Sequence, residues 1–301
     1  MTEAGHDRIA ELKRARPRSP YLRVSAVVVL AGIVWAWLTS SPLLGRLTAE
    51  RRWENFKNFV DELVPSPVDR GGDWADALPW AWDLLTDEGF TALATTIGIA
   101  TAAIILSGAF VLPLLPLASR ELSRARPFGM WGGVRGRWSA ALRRWIGPVV
   151  RFGFVLARAI PEYILAFLLI SLLGLQVWPL VLALAIHNLG ILGRLWGEVV
   201  ENADPVSARH AVASGSARSG AFYTRIFPES FNRFLIYFFY RWETCVKDAT
   251  VLGMLGLLTL GKLIALSKGF FWDEMFFYVL LAASVIVVGD FFSTFLRRKL
   301  R

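Results

Sequence analysis

The chain has 301 residues, of which 55% are hydrophobic and only 19% charged, with 13 Trp and 21 Phe. That apolar surplus exceeds what a soluble core of this size uses and points to lipid as the solvent. The net charge of +9 reads as a positive-inside bias and not as a nucleic-acid footprint, because the cations gather in a few short connections. The lone Cys245 excludes an intrachain disulfide and reads as a small packing residue.

Residues 1–21 are polar and basic. The stretch 22–40 follows as an apolar run, too long for a signal-peptide core and without a small-x-small cleavage site, and is expected to be a retained anchor helix. The segment 41–89 has mixed charge, and its Trp-rich part at 74–85 suggests a short amphipathic helix in the interface. Further spans are expected near 90–117, 149–174, 177–197, 232–260 and 274–296, six in all, since a membrane crossing takes roughly 20 apolar residues. Between them, 118–148 reads as a basic loop and 198–231 as a polar connection too charged to span.

Lys and Arg set the expected orientation. Six lie at the N-terminus up to Arg23, eight in 118–151, five in 194–233 and four in the C-terminal tail, so 23 fall on one side. Seven fall on the other side, in 41–89 and 261–274, and Arg158, Arg241 and Lys247 lie within spans. This places both termini in the cytoplasm. The expected organisation is a basic N-terminal segment (1–21), an anchor helix with an external segment (22–89), a membrane domain (90–296) and a basic tail (297–301).

A charge at the bilayer centre costs roughly 2.5–3.5 kcal/mol on insertion scales, so intramembrane charges should face protein or water. Arg241, Glu243, Lys247 and Asp248 crowd one expected span. Arg241 and Asp248, seven apart, share one helix face, and Glu243 and Lys247, four apart, pair on another. Arg158 and Glu162 form a second expected pair around Pro161, and His187 and Asn188 bring polar groups into the fourth span. Thr250 completes the candidate path. A purely structural role, pinning helices together, is the competing reading of any one of these charges. The three histidines are far apart and no metal-ligand spacing links them. The sequence has neither a Walker A pattern nor a nucleophile–base arrangement.

The 198–231 connection suggests a short helix opened by Pro205, a left-handed glycine cap at Gly215 and a second helical run to Pro228. Such a knob suits docking in a partner's groove. It resembles the coupling-helix signature of ABC-importer permeases, a Glu-Ala-Ala triplet followed by glycine and proline. Ala211, Gly215 and Pro228 match, while Arg209 stands at the Glu position and His210 at the middle Ala. "RAIPE" (158–162), "LALAIHNLGILGRLWGE" (182–198) and "YRWETCVKDATVLG" (240–253) resemble the phosphonate-transporter permease family, and the resemblance covers about 90–301. Leu258 and Thr259 replace expected glycines, while Gly253, Gly256 and Gly261 are kept.

The resemblance implies an all-α integral membrane protein with the type I importer permease fold and no enzymatic activity or cofactor of its own. It also implies a homodimer, two ATP-binding subunits, an extracytoplasmic substrate-binding protein and a phosphonate-like cargo. Phosphate, phosphite or another small oxyanion is the alternative cargo. A membrane enzyme or ion channel is the alternative class. The first lacks a catalytic constellation here, and the zero-sum charge cluster argues against the second.

Overall fold

The computed structural model describes residues 20–44, 49–120, 137–216 and 218–300, and all regular structure among them is helical. Two compact units divide at residues 62 and 63. In the first, α1 (Pro20–Leu44) is apolar on every side, as a lipid-facing helix should be, and α2 (Ala49–Asp61) is amphipathic. Trp53 and Phe56 stack on α2 with centroids 5.7 Å apart.

The second unit opens with α3 (Ser66–Asp69), whose Ser66 amide donates to Asp273 Oδ2 at 3.0 Å. A 3₁₀ turn (Trp74–Asp76), α4 (Ala77–Leu84) and a π turn (Leu85–Gly89) run directly into α5 (Phe90–Ala118). The Trp-rich segment is therefore the beginning of a 45-residue helical run and not a separate interface helix. Next come α6 (Arg137–Ala159), α7 (Glu162–Leu173) and α8 (Val177–Glu201). The helix of α6 begins at Arg137, inside the stretch expected to be loop; residues 121–136 of that loop lie outside the described residues.

The expected span 149–174 is broken. Its two halves, α6 and α7, meet at 88°. Pro161 lacks the N–H to continue the ladder and biases Ile160 away from helical backbone. Pro161 itself is extended (φ −58°, ψ 136°) and caps α7.

After α8 come α9 (Pro205–Ala213), α10 (Arg218–Ala221), a π turn (Phe222–Ile226), α11 (Phe227–Gly253), α12 (Leu260–Ser267) and α13 (Trp272–Leu300). The expected span 232–260 is thus shorter at one end and longer at the other. It stops at Gly253, turns through Gly256 (φ +117°) and restarts as α12.

Thr259, where glycine was expected, is fully buried and caps α12, its Oγ1 accepting from the Lys262 amide at 3.4 Å. Gly253 lacks the Cβ that would collide with the Thr259 side chain. Four described helical runs are long and apolar enough to cross a membrane, five if the bent α6–α7 pair is one span. The charges of α11 exclude it from that apolar set, although its 27 residues would span.

α8 is the central element, packing on α5, α6, α7 and α11. One buried cluster joins Ile99, Ala103, Leu180, Leu184, Cys245 and Leu252. A second, toward the other end, gathers Val111, Trp196, Phe222, Ile226 and Phe234. α8 and α6 approach so closely that a Cβ on Gly190 would lie 2.5 Å from Phe154 O and 2.6 Å from Arg158 N. Small residues allow such backbone contact in membrane bundles.

Candidate functional site

Asn188 is fully buried where α8 meets α11. Its Oδ1 accepts from Arg241 Nε at 2.9 Å and Nη2 at 2.7 Å, and its Nδ2 donates to Leu184 O at 2.9 Å. Arg241, with only 11% of its side chain exposed, also lies 3.7 Å from Asp248 Oδ2. Helical spacing explains this pair, since seven residues are about two turns and return to one face.

On the neighbouring residue of α8, His187 Nδ1 lies 3.1 Å from Ile160 O. A carbonyl only accepts, so this contact takes the proton on Nδ1. His187 Nε2 faces Glu162 Oε2 at 3.7 Å, an ion pair when the ring carries both protons. Asp248 lies within electrostatic reach of Arg241, Glu162, His187 and Lys247. The break before Glu162 therefore delivers a carboxylate to the crossing of α8 and α11.

Glu243 and Lys247 pair at 2.8 Å, but on the opposite face of α11. Glu243 is 8% exposed and lines a largely apolar cavity of about 400 Å³ between α5, α11 and α13. Trp242 Nε1 donates to Thr101 Oγ1 at 3.0 Å in the same region. Thr250 is buried and returns its hydroxyl to Val246 O at 3.0 Å. It bonds its own helix.

Arg158 departs from expectation. The 88° bend turns it away from Glu162, and the two form no ion pair among the described residues. Arg158 instead lines a separate cavity with Arg120, Arg151 and Arg194. Without it, the cluster of Glu162, His187, Arg241, Glu243, Lys247 and Asp248 holds two fixed cations against three carboxylates. It is neutral only with His187 protonated.

The 205–228 knob is built as its sequence suggests. Asp204 caps α9 by accepting from the Val206 amide at 3.0 Å. Its C-terminus closes as a Schellman motif: Ser216 N–H donates to Ala211 O and Gly215 N–H to Val212 O, both at 3.1 Å, with Gly215 at φ +90°. Arg209 and His210 point outward, and Ala211 is buried. Pro228 stands in the first turn of α11, so the second helical run flows into that span. Phe222 and Ile226 pin the knob to the bundle.

The sequence pattern marked Asn188 as a polar group of the fourth span but not as the partner of Arg241, and it did not single out Gly190 and Gly193 as the α6 contact. The available signal was an amide inside an apolar helix, followed by glycines.

A helical bundle with apolar spans, a buried polar crossing and a capped helical knob is the build of a multi-pass membrane protein. The chain belongs to the family of binding-protein-dependent transport system inner membrane components, whose pattern matches residues 127–301.

Among its relatives, the phosphite transport system permease protein PtxC of Stutzerimonas stutzeri is 28% identical over 142 residues, 47% of this chain and 52% of that protein. The phosphate-import permease protein PhnE of Mycolicibacterium smegmatis is 28% identical over 193 residues, 64% of this chain and 33% of that protein. The chain thus spans about half the length of the first and a third of the second. In fold it is similar to the inward-facing MetNI methionine ABC transporter, with a TM-score of 0.58 at 15% identity, covering 74% of this chain and 98% of that one.

Proposed function

We propose that this chain is the membrane-spanning permease subunit of an ATP-driven importer for a tetrahedral phosphorus oxyanion: phosphonate, phosphite or phosphate. The observation that carries the reading is the Arg241–Asn188 crossing. Arg241 is nearly buried, yet its Nη1 takes part in none of its contacts to Asn188 and Asp248. A guanidinium so held offers planar donors to an oxyanion and offsets its desolvation. Asp248, and the Glu162–His187 pair beside it, balance that charge between passages, so the anion is tolerated without being trapped. Relatives that carry phosphite and phosphate in their names share this family.

In this reading a second copy completes the path. Two ATP-binding subunits dock on the knob around Gly215, and an extracytoplasmic protein delivers the cargo. The positive-inside count supports a cytoplasmic position for both termini and the knob.

The test is uptake in cells given one phosphorus source at a time and lacking their own importer. Wild-type chain with its partners should support growth on at least one of phosphonate, phosphite and phosphate. Arg241→Met should abolish it while the protein stays folded. Undiminished uptake by Arg241→Met would overturn the assignment of the path.

A further inference from the structure

A charged cavity, distinct from the apolar one beside Glu243, lies between the end of α5, α6 and the last turns of α8, at the end of the bundle that carries the knob. Its volume of about 280 Å³ is near the small end of ligand pockets, roughly 300–1,000 Å³. Four arginines line it: Arg120, Arg151, Arg158 and Arg194. Two of them are matched by carboxylates that also line the cavity, Arg194 with Glu198 at 2.8 Å and Arg120 with Glu201 at 3.7 Å.

Arg151 and Arg158 are not matched. Among the described residues no carboxylate lies within 4.0 Å of either; Arg151 Nη1 donates to Ala118 O at 2.7 Å, which uses one of five donors. Both are half-buried and stand seven residues apart on one face of α6.

The opposite wall is shaped to leave room. The Phe154 ring packs on Gly193, and both line the cavity. At Gly197 a Cβ would meet nothing within 4 Å, so the absent side chain keeps the cavity open.

We infer that this cavity binds a phosphate-class oxyanion on Arg151 and Arg158, either free phosphate or the phosphate of an anionic lipid headgroup. Guanidinium is the side chain suited to this, since its planar fork meets two phosphate oxygens at once. Half-buried cations lacking a counter-charge gain most from such a ligand, because both partners are already partly desolvated. The inference does not rest on the transport reading, since neither Arg241 nor Asn188 lines this cavity.

The test uses the full chain in nanodiscs, with wild type, Arg158→Met, Gly197→Leu and, as a control outside the cavity, the exposed Arg225→Gln. In discs of phosphatidylcholine, inorganic phosphate is titrated against chloride at constant ionic strength and Tm is followed by Trp fluorescence. In a second arm, the protein is taken from discs containing phosphatidylglycerol, and retained lipid is counted by native mass spectrometry.

A saturable rise in Tm with phosphate, lost in Arg158→Met and Gly197→Leu, assigns the cavity to free phosphate. No rise, with phosphatidylglycerol retained by wild type and weakened at least about tenfold in the same two variants, assigns it to the headgroup. Gly197→Leu keeps the test open should the arginine variant fold poorly, since its side chain enters empty space. Equal behaviour of wild type and both cavity variants in both arms overturns the inference. So does a loss in Arg225→Gln as large as in the cavity variants.

Discussion

Replacing Asn188 with Leu keeps the volume of the side chain and removes the acceptor that Arg241 uses twice, at 2.9 and 2.7 Å. Hydrogen bonds to a charged group are worth about 1.5–3 kcal/mol in soluble proteins, and interhelical ones in membrane bundles average about 0.6 with a maximum near 1.7. Two such bonds to a guanidinium with 11% exposure give an expected loss of about 1–3 kcal/mol. The Leu184 carbonyl, which also loses the Asn188 amide, keeps its helical partner, so the cost centres on Arg241.

Arg241→Met leaves Asn188 Oδ1 and Asp248 without their cation and should cost about as much. The double variant removes both sides together and should cost less than the sum of the singles, by about 1–2 kcal/mol. Reversible unfolding in mixed detergent micelles, followed by fluorescence of the 13 Trp, measures all four forms. Additivity within about 0.5 kcal/mol would refute the Asn188–Arg241 crossing as an energetic unit.

Gly190→Ala should destabilise by about 1–3 kcal/mol in the same assay, because its Cβ meets backbone atoms of α6 that can move only with the helix. Gly197→Ala, on the same helix, should be near neutral. Glu243→Gln and Lys247→Met should each lower the yield of monodisperse protein, and the double change should recover much of it, since a single removal strands a charge. Gly215→Leu forces a side chain onto φ +90°, at a cost of roughly 1–2 kcal/mol. It should leave insertion intact and abolish substrate-stimulated ATP hydrolysis by the assembled transporter. Wild-type stimulation would count against docking at the knob.

What the sequence made legible were the features fixed by one helix's own geometry. The Glu243–Lys247 pair follows from spacing of four, the Arg241–Asp248 pair from spacing of seven, and the Gly215 cap from a glycine after a short helical run. The Asn188–Arg241 bond joins residues 53 apart, and only the packing of α8 on α11 brings them together. Length and hydropathy marked the spans but not the junctions between elements. Trp74–Leu84 flows into α5, Arg137 starts a helix inside a nominal loop, and α11 yields to α12 through Thr259. Thr259 stands where the family resemblance implies a glycine. Its hydroxyl caps a helix, a role glycine lacks, and Gly253 provides the space.

The bend at Ile160–Pro161 decides which charges act together. On a continuous helix, Arg158 and Glu162 would be an i,i+4 pair on one face. With 88° between α6 and α7, Glu162 pairs with His187 at 3.7 Å, and Arg158 joins three other arginines around a separate cavity. The two charges thus belong to different environments despite four residues of separation. Two double-mutant cycles separate the geometries. Glu162→Gln with His187→Gln should be non-additive by about 0.5–1.5 kcal/mol, the range for partly buried contacts. Glu162→Gln with Arg158→Met should be additive within about 0.5 kcal/mol. Unfolding free energies of the five variants and wild type, measured in one detergent, give both cycles. Coupling of Glu162 to Arg158 and none to His187 would mean that the two halves form a straight span in the membrane. The charge balance at the α8–α11 crossing would then include the arginine after all.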